Sequence, residues 1–456
     1  MTQDFFTIIF LASCILVSVR SLYDLAFFLL SLGWLRKARH LKGSTEKLFV
    51  IIIPVLREQQ VLRSTVEWFL RLNYLTSKVN IVLVTTEKEF YEKHVSHEKT
   101  DTIQLASSLE REYPGLIRHL HYPHIDGKMV DQVNYAFTKV LDESSRKNDD
   151  DVFLALYNAD SRPHLDTLQW VSSLAAVSDG RVFQQSSVFF DNFKSLSRGN
   201  GLLSTRLLQA NAVLQTRWTL AHEIPRLLRQ TFLLTRFKTR QFLTHCVGHG
   251  LFLRRDIVRE LRGMPTGTMT EDLSFGFILS LLGEPIRPIP VLESAEMPNS
   301  IVGALRQKYV WFFGPMDHVA YARSFLKHYA ERASRWLVGW FVIQGLLPAL
   351  AWLVAGWILL YIITFPIFTG SISYYVLGWG NALFYLFTFF LTTLNIGFLN
   401  RLSFRKESIN FGEALGALLF IFPMILLHSL PPLVSVLAKV QFALTGRDPV
   451  KPKTER

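Results

Sequence analysis

The sequence predicts an α/β domain that lies between membrane-spanning helices at the two ends of the chain. Three features indicate this fold class. A long apolar stretch runs from Phe5 to Leu35 near the N-terminus. Short apolar runs then alternate with helical stretches over residues 47–314, a pattern typical of a mostly parallel sheet covered by helices. Three further apolar segments follow over residues 336–442, which predicts a C-terminal transmembrane region.

The amino-acid composition narrows the classes of partner. The chain has 49 Lys and Arg against 37 Asp and Glu, a formal net charge of +12. Such an excess suits nucleic acid, anionic lipid or a polyanionic substrate. No nucleic-acid recognition motif accompanies the charge, so we expect no nucleic-acid partner and favour membrane lipids. Cys14 lies in an apolar stretch and Cys246 in the polar domain, so we expect neither a disulfide nor a zinc site.

The N-terminal apolar stretch is predicted to form a transmembrane helix over residues 1–35. It exceeds the roughly 20 residues that a spanning helix needs, and it lacks the small-residue cleavage site of a signal peptide. Arg20 and Asp24 interrupt it, but their spacing places them on one helical face, where their charges partly offset. The basic residues that follow predict a cytoplasmic α/β domain by the positive-inside rule. They are Arg36, Lys37, Arg39, Lys42 and Lys47.

The α/β domain is expected to begin with a strand and to alternate from there. Apolar runs bounded by turn residues predict strands. Apolar residues at helical spacing predict helices. The predicted strands are Phe49–Pro54, Asn80–Thr85 and Val152–Tyr157, and the predicted helices include Val61–Leu72 and Met129–Leu141.

The C-terminal apolar segments predict further spans. The link Pro366–Ser371 carries no charge, whereas the next link holds Arg401, Arg405 and Lys406. This asymmetry places the first link outside and the second in the cytoplasm. Pro431-Pro432 interrupts the last segment, which leaves open whether it spans or bends back before a basic tail at 443–456. The three segments are Trp336–Phe365, Ser373–Leu399 and Phe411–Val440.

Two stretches combine basic and apolar residues. Residues 315–335 place Tyr321 and Phe325 among Arg323 and Lys327, which predicts an amphipathic helix in the headgroup layer. The stretch Leu202–Arg240 has seven Arg or Lys against one Glu. Its composition fits an interfacial helix and an ordinary solvated helix with a core face equally well.

Polar residues follow the predicted strands, where α/β sheets bind their ligands. Each of them, taken alone, also suits a turn or a helix cap. Their order along the chain is therefore more informative than any single residue. They are Pro54 and Glu58 after the first strand, Lys128 and Asn134 at the start of a helix, Asp160 after the third strand, and Thr270-Glu271-Asp272 before another helix.

In this order, the motifs resemble those of the membrane-bound family 2 glycosyltransferases with a GT-A fold. This group includes cellulose, chitin and hyaluronan synthases and ceramide glucosyltransferase. Ile51 to Glu58 resembles the first donor-binding strand with its Pro-x-x-x-Glu turn, and Asn158-Ala-Asp160 is similar to the Asp-x-Asp metal motif. The other similar segments are Gly127-Lys128 through Asn134, Gly248 to Arg255, Thr270-Glu271-Asp272, and Glu296-x-Pro298 followed by Gln307 to Gly314.

The resemblance implies a Rossmann-like GT-A domain that transfers sugar from a nucleotide-sugar, with UDP as the expected nucleotide, to an acceptor at the cell (inner) membrane. Asp272 would be the base of a single inverting displacement. Asp160 would hold Mg²⁺ or Mn²⁺ at the leaving diphosphate. The acceptor, a lipid or a growing glycan, would meet Glu271, Gln307 and Trp311, whose ring suits a sugar face. The remaining donor-binding residues would be Pro54, Glu58, Thr86, Glu87, Lys128 and Asn134.

Three positions depart from the family pattern. The second strand ends in Thr85-Thr86-Glu87 instead of the usual aspartate, which leaves the nucleotide base open. Asn158 replaces the first aspartate of the metal motif. Val310 replaces the arginine of Gln-x-x-Arg-Trp, which weakens an expectation of processive polymer synthesis.

Two classes of function follow from these motifs. The first is an enzyme, either a polysaccharide synthase or a lipid glycosyltransferase. The Lys-Thr-x-Arg ending at Lys453 is similar to that of some bacterial polysaccharide synthases, whereas the small number of apolar segments favours a lipid glycosyltransferase. The alternative is a non-catalytic membrane scaffold with a degenerate glycosyltransferase domain. A transporter would show paired, interrupted spans, which the sequence lacks.

Overall fold

A sheet of seven strands forms the centre of the domain between the membrane helices. The computed structural model describes residues 2–37, 44, 46–93, 101–143, 151–403, 409 and 411–445. The strands are β1 (Leu48–Pro54), β2 (Val79–Thr86), β3 (Ile117–Tyr122), β4 (Val152–Leu156), β5 (Val182–Gln184), β6 (Ser187–Val188), β7 (Leu251–Arg254), β8 (Ile286–Pro288) and β9 (Glu293–Ser294).

The strand order in the large sheet is β3-β2-β1-β4-β7-β5-β8. β4 and β5 both pair with β7 in antiparallel fashion, while the other pairs in this sheet are parallel. β6 and β9 form a separate parallel pair beside it. Every residue of β4 is buried, as expected for a central strand covered on both faces. The predicted α/β class with a mostly parallel sheet is confirmed.

Helices cover the sheet and continue into the flanking apolar regions. Their bounds are α1 (Thr2–Lys37), α2 (Leu62–Phe69), α3 (Lys88–Lys93), α4 (Thr102–Glu112), α5 (Met129–Glu143), α6 (Thr167–Ser178), α7 (Leu202–Trp218), α8 (Ile224–Phe237), α9 (Arg255–Leu261), α10 (Glu271–Leu282), α11 (Ile301–Met316), α12 (His318–Tyr329), α13 (Arg335–Thr369), α14 (Ile372–Leu394), α15 (Ile396–Leu402), α16 (Phe411–Leu418), α17 (Ile421–His428) and α18 (Leu430–Thr445). A π-helical turn, Thr219–Glu223, joins α7 to α8.

Among the described residues, four helical segments are long and apolar enough to cross a membrane: Asp4–Lys37, Arg335–Thr369, Ile372–Leu394 and Ile421–Thr445. Many of their large apolar side chains are exposed, including Trp336 and Phe368. Exposed side chains of this kind suit contact with lipid rather than water.

The last candidate span contains a break between α17 and α18. Pro431 and Pro432 stand in the first turn of α18, where a helix tolerates proline because the N–H groups have no intrahelical acceptor. The proline pair therefore begins a helix here. The predicted basic tail lies outside the described residues from residue 446 onward, as do Arg39, Lys42, Arg405 and Lys406.

The segment from α7 to α8 packs among the membrane helices. Leu208 and Val213 of α7 belong to one buried core with Phe10 of α1 and Phe389 of α14. Asp24 of α1, buried completely, pairs with Arg217 of α7 and with Arg20. The segment thus joins the α/β domain to the apolar helices through both apolar and ionic contacts.

Helix α12 has two different faces. Tyr321 and Phe325 are buried in a core shared with Phe341 of α13, whereas Arg323 and Lys327 are exposed. The headgroup position of this helix, like the domain boundaries given above, stays a prediction.

Candidate active site

The sheet brings the ends of several chain segments to one edge. Pro54 ends β1 and pairs with Val84 of β2, while the turn Asn158–Asp160 follows β4. The turn Gly248–Gly250 enters the antiparallel β7 at the same edge, because the Gly250 N–H donates to the Leu156 carbonyl at 2.8 Å. Residues distant in sequence therefore surround a common region, as the carboxyl ends of parallel strands do in other α/β sheets.

The candidate base, Asp272, lies against the glycine turn. A Cβ atom at Gly248 would stand 3.4 Å from Oδ2 of Asp272. Oδ1 accepts a hydrogen bond from the Leu273 N–H at 2.9 Å, and the side chain is half-buried in the first turn of α10. The helix N-terminus favours the ionised carboxylate.

Neighbouring helices hold the start of α10 in place. Thr270 stands at the N-cap position, but its hydroxyl bonds the Tyr321 hydroxyl at 2.6 Å instead of capping the helix. Gly314 of α11 also packs on Leu273. Glu271 is buried and, with Pro54 and Gly248, lines a small cavity beneath this edge. The end of β1, the glycine turn before β7 and helices α11 and α12 thus meet at the start of α10.

The predicted donor-binding residues lie along the same edge with different partners. Thr86 donates through Oγ1 to the His124 carbonyl at 3.3 Å. Glu87 contacts Nε2 of His121 at 2.8 Å. The Glu58 N–H donates to the hydroxyl of Thr102 at 3.1 Å. These contacts secure the turns that follow β1 and β2.

Lys128 and Asn134 belong to the start of α5. Lys128 is exposed, and its backbone N–H donates to Asp131 at 2.7 Å. The side-chain amide of Asn134 makes two hydrogen bonds with the backbone of Met264. Its Nδ2 donates to the Met264 carbonyl at 2.9 Å, and its Oδ1 accepts from the Met264 N–H at 2.8 Å. In this geometry the amide of Asn134 positions the loop that leads to Asp272.

The structure adds two residues that the motifs did not single out, His249 and Glu293. Nδ1 of His249 lies 2.6 Å from Oε2 of Glu293. Burial disfavours the charged imidazole, but the negative charges of Glu293, Asp160 and Glu223 outweigh burial and raise the pKa of His249 to about 9. Burial alone would raise the pKa of Glu293, but the positive charge of His249 and the hydrogen bond from it lower that pKa below its usual range. The pair is therefore an imidazolium and a carboxylate at neutral pH.

Backbone geometry fixes the turn that carries His249. Gly250 has a φ of +64°, and a Cβ there would stand 2.9 Å from the Gln185 carbonyl oxygen. Oε1 of Gln184 accepts a hydrogen bond from the Val247 N–H, and its Nε2 donates to the His249 carbonyl at 2.8 Å. No local sequence signal could have identified Glu293 as the partner, because it lies 44 residues beyond His249.

Carboxylates surround Arg162 beside the metal motif. Burial lowers the pKa of Arg162, and the negative charges of Asp191, Asp160, Glu296 and Glu293 act against that effect. Its guanidinium donates to Thr65 Oγ1 at 2.7 Å. The edge thus combines several negative charges with two cations, Arg162 and His249.

Asp160 suits a divalent cation that takes most of its ligands from a substrate. Within the described ranges, no three Asp, Glu, His or Cys side chains converge on one cation position. Magnesium often binds through one or two protein carboxylates, water and substrate phosphates. The half-buried carboxylate of Asp160, with the neighbouring amide of Asn158, fits such a donor set.

Of the predicted acceptor-side residues, Gln307 and Trp311 lie on α11, whereas Glu271 begins α10. The Lys308 ammonium stands 3.8 Å from the ring centroid of Trp311. Oε1 of Gln307 is buried and has no hydrogen-bond partner among the described residues. Trp311 precedes Gly314 by three residues, which places both on one side of the helix.

Comparison with known proteins gives the family. The model of the glycosyltransferase-like family 2 matches residues 47–339. A mannosyltransferase from Pyrobaculum calidifontis, solved with GDP-Man and Mn²⁺, is 13% identical with a TM-score of 0.43, covering 84% of this chain and 98% of its own. S. aureus TarS 1–349 is 11% identical with a TM-score of 0.36, and the match covers 88% of this chain and 92% of that chain. Its complex with UDP-GlcNAc is 9% identical with a TM-score of 0.36, and the match covers 80% of this chain and 95% of that chain. No curated protein sequence matches. The family model covers more than half of the chain, which therefore belongs to the glycosyltransferase-like family 2.

Proposed function

We propose that this glycosyltransferase is an inverting, metal-dependent enzyme that moves a sugar from a UDP-sugar to a membrane-associated acceptor. One observation carries the proposal: the turn Gly248–Gly250 lies against Asp272 and is hydrogen-bonded to the end of β4, the strand that leads to Asp160. Asp272 contacts its first residue, and the charge of Asp160 acts on His249 within it. A donor bound over this turn would have a metal-binding group on one side and a base on the other.

The donor half of the site would hold the nucleotide-sugar through Pro54, Glu58, Thr86, Glu87 and Lys128. Asp160 would bind Mg²⁺ or Mn²⁺. The ion would neutralise negative charge on the departing diphosphate. Lys128 is exposed and has the length to reach a phosphate from the start of α5.

The acceptor half of the site would perform the displacement. Asp272 takes the proton from an acceptor hydroxyl as its oxygen bonds to the anomeric carbon. The bond between that carbon and the diphosphate oxygen breaks, and the nucleoside diphosphate leaves with the electron pair. Attack opposite the leaving group inverts the anomeric configuration. Glu271, Gln307 and Trp311 would position the acceptor.

The flanking helices support an acceptor held in a membrane. The four candidate spans adjoin the domain, and α11 joins the site to α13 and α18. We place the domain on the cytoplasmic side of the cell (inner) membrane, because Arg36 and Lys37 end α1 next to β1.

The test is turnover of a panel of labelled UDP- and GDP-sugars by purified full-length protein with Mn²⁺ or Mg²⁺. We expect metal-dependent release of UDP from one sugar donor. Adding a lipid extract should give one lipid-soluble product or a polymer ladder, which separates a lipid glycosyltransferase from a polysaccharide synthase. Binding of donor without turnover under any of these conditions would favour the non-catalytic scaffold.

A further inference from the structure

A group of buried polar side chains lies where α11 meets α7 and α17. Lys308 of α11 is completely buried. Its Nζ donates to Oε1 of Gln215 on α7 at 2.6 Å and stands over the Trp311 ring. Its charge also acts on His428 at the end of α17. This lysine is therefore enclosed by an aromatic ring, an amide and a helix of a candidate membrane span.

The ammonium of Lys308 lacks a counter-charge. An ammonium has three N–H donors, and Gln215 receives one of them. Within the described parts of the chain, no carboxylate pairs with Lys308, and burial lowers its pKa well below the usual range. Without an anion beside it, burial therefore favours the neutral amine over the ammonium ion. An anionic ligand beside Nζ would favour the charged form again.

Two further buried amides, which lack partners in the part of the chain that the structure describes, lie on the same two helices, α7 and α11. Asn211 is completely buried, and neither its Oδ1 nor its Nδ2 has a hydrogen-bond partner among the described residues. It precedes Gln215 by one helical turn on α7, so the two side chains share a face. Gln307, next to Lys308, has a buried Oε1 that also lacks a partner. These helices thus offer an amine that an anion would charge and a buried amide donor without a partner in the described ranges.

We propose that Lys308, Gln215 and Asn211 bind the phosphate group of a membrane lipid that serves as acceptor. This inference rests on the proposed function. Phosphate oxygens accept the charge-assisted bonds that the cluster can donate. The source is a lipid because α7 shares a buried core with α1 and α14, and α17 lies in a candidate span. The far end of α11 contacts Leu273 beside Asp272, so one helix links this site to the base.

The experiment measures binding of radiolabelled phosphatidic acid to the full-length protein in a neutral, phosphate-free detergent. Diacylglycerol and inorganic phosphate serve as competitors. Lys308→Met removes the charge and keeps the length of the side chain. Lys139→Met is the matched control, because Lys139 is a half-exposed lysine on α5, a helix that packs on the sheet. Asn211→Leu tests the second member of the cluster.

We expect Lys308→Met to weaken phosphatidic acid binding at least tenfold, Asn211→Leu to weaken it less, and Lys139→Met to leave it unchanged. UDP binding should be equal in all four proteins. Equal lipid binding by wild type and Lys308→Met would overturn the inference, as would competition by diacylglycerol or by inorganic phosphate at the same concentration as the lipid. If Lys308→Met does not fold, the comparison of Asn211→Leu with Lys139→Met decides. A wild type that binds the lipid through Lys308 and turns over no nucleotide-sugar would refute the proposed function and leave this site standing.

Discussion

Replacing Asp272 with Asn distinguishes a catalytic base from a structural carboxylate. The Oδ1 of an asparagine can still accept the Leu273 N–H, so the hydrogen bond at 2.9 Å survives the change. The lost charge at the helix N-terminus costs about 0.3–1 kcal/mol of unfolding free energy. For a domain of this size, that loss lowers the Tm by no more than about 4 °C. A structural role therefore predicts near-normal turnover.

A role as general base predicts a much larger effect on turnover. Loss of a positioned base lowers the rate roughly 100- to 10,000-fold. At 1.36 kcal/mol per tenfold, this equals about 3–5 kcal/mol of transition-state stabilisation. Because a general base acts on the acceptor hydroxyl and not on the nucleotide, the affinity for the nucleotide-sugar should be preserved.

The assay is single-turnover transfer from a labelled nucleotide-sugar, with donor affinity measured by calorimetry and folding by thermal unfolding. Glu271→Gln is the matched control, since the adjacent carboxylate is buried under the sheet edge and lies beside the same turn. We expect this control to lose far less activity. Transfer by Asp272→Asn at close to the wild-type rate, with the fold intact, would refute the assignment of the base.

Three further predictions concern the metal, the ion pair and the topology. Asp160→Asn should lower metal-dependent donor affinity as well as turnover; calorimetry that shows unchanged affinity would contradict the metal assignment. Because the negative charges of Glu293, Asp160 and Glu223 raise the pKa of His249 from 6.5 to about 9, protonated His249 contributes about 3 kcal/mol of stability below pH 6.5, and this is lost as pH rises towards 9. Glu293→Gln in metal-free buffer should therefore flatten the dependence of Tm on pH between 6.5 and 9, and an unaltered slope would refute it. A cysteine placed at Ser371 should react with an impermeant thiol reagent from outside intact cells, whereas one at Ser403 should not; the reverse pattern would overturn the orientation.

Local patterns predicted the elements of the fold closely. The predicted run Asn80–Thr85 lies within β2, and the predicted helix Met129–Leu141 lies within α5. The apolar segment Trp336–Phe365 lies within α13. These predictions succeed because hydrophobic periodicity and segment length reflect which faces a segment buries, whatever its neighbours are.

Neighbouring contacts overrode local patterns at two positions. The Thr270 hydroxyl suits a helix cap, but it bonds Tyr321, which lies 51 residues away. Asn134 fits a donor-binding motif, but its amide is engaged by Met264, which lies 130 residues away. A cap or motif specifies the groups that a side chain can offer, and the tertiary contacts decide which partner receives them.

The sequence by itself determined the class of the protein: apolar length predicted the spans, and the order of short motifs predicted the family. Only the tertiary structure decided that β7 runs antiparallel and carries His249 to the edge beside Asp160, where Glu293 meets it. It also decided that the basic stretch after Leu202 packs among the apolar helices and that Lys308 is buried without a carboxylate partner among the described residues. The physical reason is that pairing between distant side chains depends on how helices and strands pack, which the local preferences of each segment do not encode.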